Sequence, residues 1–191
     1  MTLADPLRIA VAVAASLVLC FAAVSDIRTR RIPNWTVLAL IGLFAIWMAS
    51  DGGREALSAL AAAAVALAVT VALYAFKILG AGDSKLFAAV ALFGGLGYLP
   101  LLVLATALTG GVIAIASLAA RPQRALAMLS MRGKGDWGRG VPYGLAIATG
   151  GALIMWAPIT GIVKPIGARP DVTATQVKQF MEAPRPQPGA R

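Results

Sequence analysis

The chain has 191 residues, a formal charge of +9, no histidine and one cysteine; 59% of it is hydrophobic and 13% charged. A soluble domain of this size is about 45–50% apolar and about 25% charged, so a water-soluble fold is excluded. The missing histidine removes imidazole bases, Ser-His-Asp and Cys-His machinery and His-ligated metals, and a lone cysteine forms neither an internal disulfide nor a cysteine zinc cluster.

Charged residues leave five open windows, at 9–25, 32–50, 56–76, 86–120 and 140–163. A crossing helix needs roughly 20 apolar residues, so each window spans a bilayer at least once. The first helix is expected over about 7–25. Cys20 lies in it and reads as a small buried hydrophobe, because Leu19 occupies the place where a lipoprotein signal wants a small residue. Cleavage after a leader is disfavoured by Asp5 cancelling Arg8 and by Arg28, Arg30 and Arg31 just beyond. Helices two and three follow over about 34–50 and 56–77. The window 86–120 is too long for one crossing, and Gly94-Gly95-Leu96-Gly97-Tyr98-Leu99-Pro100 is a turn signal, so it divides into helices at about 84–97 and 100–120. A sixth helix is expected over about 141–161. Loop 121–139 is basic with an apolar side, and suits either a short amphipathic segment on the membrane surface or a plain solvated loop. Five prolines follow residue 163, so the chain divides into a membrane domain at 1–163 and a mobile tail at 164–191.

The fold class is therefore an all-α, polytopic membrane bundle of about six helices. Ten basic residues fall on the side of the first connection, against Arg8 and Arg54 near short segments opposite. This asymmetry places the first connection in the cytoplasm and both termini outside, and accounts for the basic surplus without nucleic acid. Trp35, Trp47, Tyr74, Tyr98, Tyr143 and Trp156 fall near helix ends, as an interfacial belt requires. Helices rich in alanine and glycine, such as 59–64, are built for close packing in lipid.

Of eight acidic residues, Asp5, Asp51, Glu55, Asp171 and Glu182 lie outside on this topology, and Asp136 is a counter-charge in the basic loop. Asp26 and Asp83 each stand where a helix meets the cytoplasmic interface, and an ionisable group there is a functional candidate. Asp83 opens the fourth helix and would serve as an ordinary N-cap. Asp26 closes the first helix, where a negative charge opposes the dipole. Helix-end electrostatics thus favour Asp83 as a base and Asp26 as an acid. Two carboxylates in one site share a proton and activate water. A Ser–Lys arrangement of Ser84 with Lys85 or Lys77 is disfavoured, because adjacent side chains on one helix diverge. A non-enzymatic channel, transporter or assembly scaffold, with the two aspartates binding cations or protons, is the alternative.

Asp26-Ile27-Arg28-Thr29-Arg30-Arg31-Ile32-Pro33-Asn34 resembles the first-aspartate segment of the type IV prepilin peptidases, and Gly80-Ala81-Gly82-Asp83-Ser84-Lys85 resembles their Gly-x-Gly-Asp motif. Gly140-Val141-Pro142-Tyr143-Gly144 is similar to a third segment, with Leu145 where proline is common. The resemblance spans about residues 7–160. It implies a membrane aspartic endopeptidase that removes the short basic leader of prepilin or pseudopilin precursors at the cytoplasmic face of the bacterial inner membrane. Asp26 and Asp83 would be the catalytic pair, and no metal or organic cofactor is implied. Many family members also methylate the new N-terminus and carry a four-cysteine cytoplasmic domain. Only a few residues separate Asp26 from Trp35 here, so the chain resembles the small, protease-only branch that serves tight-adherence (Flp) pili, and methyl transfer is not expected. The glycines let a peptide lie against the Gly80-Ala81-Gly82 strand. Pro33 and Asn34 fix the start of the second helix, Lys85 either orients or charge-balances Asp83 or snorkels to the interface, and anionic lipid holds the basic leader to a basic face.

Overall fold

The computed structural model describes residues 5–50, 53, 55–119 and 143–166. The loop expected over 121–139, with Asp136, and all but the first residues of the tail after 163 lie outside the described residues. Five α-helices make up the fold: α1 (Pro6–Thr29), α2 (Asn34–Ser50), α3 (Ala56–Ala75), α4 (Ala81–Ala119) and α5 (Tyr143–Thr160), with no strand among the described residues. Four are long and apolar enough to cross a membrane, and α2 is a shorter apolar helix of 17 residues. The protein is a multi-pass helical membrane protein.

Helix α4 is two helices joined at one residue. Gly95 has φ 56° and ψ −169°, a backbone conformation open essentially to glycine alone. The contacts of the two arms show that the chain reverses there. In the first arm, 81–94, Val90 faces Gly151 and Gly94 faces Ile154, so the arm ascends with α5. In the second arm, 96–119, Gly97 faces Pro165, Leu102 and Thr106 face Gly150, and Gly110 faces Ala146, so that arm descends. Ser58 of α3 accepts a hydrogen bond from the Leu96 amide at 3.0 Å and caps the second arm. Counting the arms separately gives the six apolar segments expected from sequence. The break lies at Gly95, ahead of the expected 97–100, and Pro100 is carried inside the second arm.

The inside of the bundle is lined by small residues. Ala12, Ala15, Ala22, Ala62 and Ala146 are fully buried or nearly so, whereas Leu17, Leu38, Leu57 and Ile115 point outward. In lipid, outward apolar side chains cost nothing, and helix association depends on close packing. Helix α5 shows this best. A Cβ on Gly151 would come 2.9 Å from Leu19 Cδ1, and one on Gly150 would come 2.6 Å from Thr106 Oγ1. Two adjacent glycines thus let α1 and the first arm close on one side of α5 and the second arm on the other. The same geometry corrects the reading of Cys20. The buried seam of α1 runs Val11, Ala12, Ala15, Leu19, Ala22, Ala23, Asp26, and Cys20 falls off it, exposed. Its outward position suits a thiol that lipid accepts as a small hydrophobe.

Helices consecutive in sequence run antiparallel, with the two arms of α4 counted separately, which sorts the loops to two ends. Ser16 of α1 accepts from the Trp156 indole of α5, while Asp26 meets Gly144 at the other end of the same pair. Arg8 lies over the Trp47 ring at 5.3 Å, at the end where α1 begins and α2 finishes. Ser84 and Thr70 tie the start of α4 to α3. The 30–33 connection, the 76–80 connection and the start of α5 therefore gather at one end of the bundle.

Candidate active site

Asp26 lies in the last turn of α1, which continues to Thr29 rather than stopping near residue 25. The helix closes on Arg30, which adopts the left-handed conformation (φ 56°) and donates its amide to the Asp26 carbonyl at 2.9 Å. Ser25 Oγ then donates to the Arg31 carbonyl at 2.9 Å, so the connection folds back on its own helix. Pro33 ends it, and its carbonyl accepts from both the amide and the hydroxyl of Thr36 in the first turn of α2. This tight turn fixes the direction in which the last turn of α1 presents Asp26.

Asp26 is 7% exposed, and its Oδ2 accepts a buried hydrogen bond of 2.9 Å from the backbone N–H of Gly144. Gly144 stands in the first turn of α5, where backbone amides are free to donate outward. A Cβ at Gly144 would lie 2.9 Å from both Cβ and Oδ2 of Asp26, so a side chain there would displace the carboxylate. The sequence marks Gly140–Gly144 only as a segment similar to a third one of the family, with no link to Asp26. Its glycine was not assigned to the site, because its contribution is a backbone amide and an empty space rather than a functional group.

Asp83 is the third residue of α4, not its N-cap. The helix starts at Ala81, and Gly80 stands before it. Asp83 Oδ2 accepts from the Gly80 amide at 3.2 Å, the reach of a third-position carboxylate back to the cap residue. A Cβ on Gly80 would sit 2.8 Å from that oxygen, so glycine is what permits the fold-back. Ala81 and Gly82 are helical, which corrects the expectation of an extended Gly80-Ala81-Gly82 strand: their carbonyls and amides enter the first turn instead. Gly82 packs under Ile32, where a Cβ would be 3.4 Å away, and this contact seats the 30–33 turn on the start of α4.

The result is a single cavity of about 370 Å³ at this end of the bundle, lined by Asp26, Asp83, Gly80, Ala81, Gly82, Asn34 and Lys85. The two carboxyl groups thus share one cavity. Arg30, Arg31 and Ile32, which the sequence did not single out as site residues, line the same space. Of the expected residues only Pro33 is absent from the lining, and it acts through the turn. Both carboxylates face the amino end of a helix, Asp83 that of α4 and Asp26 that of α5. The helix-end argument for Asp83 as base and Asp26 as acid therefore no longer separates them. Among the described residues, no three Cys, Asp or Glu side chains group as metal ligands. Ser84 is buried, and its hydroxyl donates to the carbonyls of Thr70 and Gly80, turned away from Lys85, which is exposed. A Ser84–Lys85 pair is thus excluded by geometry.

A family model described as the type IV leader peptidase family matches residues 13–115, more than half of the chain. The chain belongs to the type IV leader peptidase family. No curated protein and no solved structure gives a significant match. The matched span includes both aspartate segments and ends within the second arm of α4. The family makes this multi-pass membrane protein a peptidase, and the channel, transporter and scaffold readings fall away.

Proposed function

We propose that the protein is an aspartic endopeptidase in which Asp26 and Asp83 are the catalytic pair, cutting the leader from prepilin or pseudopilin precursors, those of Flp-type pili in particular, at the cytoplasmic face of the bacterial inner membrane. One observation carries the reading: two carboxylates from helices far apart in sequence converge on a single polar cavity at one end of a membrane bundle. A dyad that holds one proton has the required chemistry. The ionised member takes a proton from water, whose oxygen attacks the scissile carbonyl carbon. The protonated member gives its proton to the carbonyl oxygen. Collapse of the resulting diol expels the amine, which takes a proton as it leaves. The Gly144 and Gly80 amides hold one oxygen of each carboxylate, leaving the others to face water and peptide.

Cytoplasmic placement is supported by the cations at this end, Arg28, Arg30, Arg31, Lys77 and Lys85. The short link between Asp26 and α2 leaves no room there for the inserted domain that accompanies methyl transfer in the resemblance, which supports cleavage alone.

The test is cleavage of a purified pilin precursor by reconstituted protein. Asp26→Asn and Asp83→Asn should each abolish cleavage while leaving precursor binding within about twofold, and the wild-type rate should be bell-shaped in pH, as a shared-proton pair requires. Full activity in either variant would remove the two-aspartate mechanism.

A further inference from the structure

A second cavity, of about 300 Å³, opens beside the first. Val37 and Ile41 of α2 form one wall, Ala64 and Leu67 of α3 the other, and Ala88 and Leu92 of the first α4 arm the floor. It exists because α2 and α3 both pack on that arm but make almost no contact with one another. The gap is therefore a lengthwise slot, apolar throughout its walls and floor, open on the lipid side: Ile41 and Leu67 are 45% and 42% exposed at its lips. Lys85 lines both this slot and the cavity of the two aspartates, so the two spaces adjoin at that residue. From Lys85 to Leu92 the slot runs about 10 Å along the helix axis, at about 1.5 Å per residue. It thus runs from the interface toward the middle of the bilayer.

We infer that this slot between α2 and α3 is the lateral docking site for the apolar, membrane-inserted segment of the precursor, just beyond the bond that the aspartates cut. The inference rests on the peptidase reading above. The occupant follows from adjacency and chemistry. For a chain whose scissile bond lies in the polar cavity at the membrane end, and whose next residues are in the bilayer, this slot is an apolar opening directly beside that cavity. A lipid-inserted peptide gains nothing from apolar walls as such, because lipid is equally apolar; small residues on wall and floor, Ala63, Ala64, Ala88 and Ala89, supply the close backbone approach that drives helix association in membranes. Docking there holds the scissile carbonyl beside the dyad and turns a two-body encounter into a positioned one.

The experiment uses a type IV pilin precursor that the wild-type protein cleaves in proteoliposomes. Ala64→Trp and Ile41→Trp, each at an exposed wall position, should slow cleavage at least tenfold. Leu108→Trp, on a lipid-facing position of the second arm that is 62% exposed, should leave the rate unchanged. Because a bulky substitution could disturb folding, a conservative pair complements it. In a Cys20→Ser background, Ala64→Cys should retain cleavage and form a disulfide with a cysteine placed one to two turns into the precursor's apolar segment, whereas Leu108→Cys should not. Wild-type rates in both tryptophan variants, or cross-linking at 108 in place of 64, would overturn the slot while leaving the peptidase intact. Failure of the wild-type protein to cleave any precursor would instead overturn the peptidase reading.

Discussion

The carboxylate of Asp26 depends on a residue with no side chain. Gly144 donates to it and leaves it space, and one methyl group there would keep the amide but push the carboxylate away from it. Gly144→Ala should lower cleavage on the order of 10- to 100-fold, the worth of a hydrogen bond to a charged group of about 1.5–3 kcal/mol, while the protein still inserts in the membrane. Gly82→Ala is the contrast: its Cβ would meet Ile32 at 3.4 Å, close to ordinary contact, so cleavage should stay within about threefold of wild type. Initial rates on one precursor, with expression in membranes as control, check both, and equal losses in the two would remove the Gly144 contact as the cause. At this scale the sequence is informative about charge and poor about space. Asp26 and Asp83 stand out because ionisable groups are so rare in this chain. Gly144 is one of 20 glycines, and nothing in its neighbours says that a carboxylate from α1 will rest against it. The partner of Asp26 comes from 118 positions away, which local pattern does not encode.

Helix count was legible because a bilayer imposes a length, and uncharged windows report that length directly. Helix ends were less so. Helix α1 runs through Asp26 to Thr29 because the Ser25 hydroxyl donates to the Arg31 carbonyl of the following turn, the Thr29 hydroxyl donates back to the Ser25 carbonyl, and no glycine or proline intervenes to stop it. In the 86–120 window the turn signal offered four breakers within seven residues, Gly94, Gly95, Gly97 and Pro100, and only tertiary contacts select Gly95 among them. Ser58 sits against it, and any other residue would need both φ 56° and a Cβ 2.8 Å from the Ser58 hydroxyl. Gly95→Ala should therefore destabilise the protein by at least about 2 kcal/mol, from backbone strain of roughly 1–3 kcal/mol with steric clash added. In detergent its thermal unfolding midpoint should fall by several degrees. Gly111→Ala, in the same helix with nothing within 4 Å of the added Cβ, should leave the midpoint unchanged or raise it slightly. A Gly95→Ala protein as stable as Gly111→Ala would mean that the chain does not reverse at this residue.

Taken whole, the described residues carry charge only at the ends of the bundle, and the ends differ in charge. Five cations, Arg28, Arg30, Arg31, Lys77 and Lys85, crowd the end that holds the two aspartates, and three of them line the cavity itself. A precursor with a basic leader approaches this surface against like charge, so direct attraction to the protein does not explain recognition. We propose that anionic lipid resolves the conflict. A negative leaflet attracts a juxtamembrane base by about 1 kcal/mol, so it concentrates the leader at the interface and neutralises the protein's own ring of cations. Cleavage in vesicles containing anionic lipid should then be at least about fivefold faster than in zwitterionic vesicles of the same thickness, roughly one such interaction. The advantage should shrink as salt rises and the Debye length falls from about 10 Å at 0.1 M toward about 3 Å at 1 M. Arg28→Gln with Lys77→Gln removes two cations that do not line the cavity, so the substitution should speed cleavage in zwitterionic vesicles and narrow the gap between the two lipids. Initial rates in the four combinations of protein and vesicle measure the coupling, and rates independent of lipid charge at low salt would show that the leader is recognised by the protein surface alone.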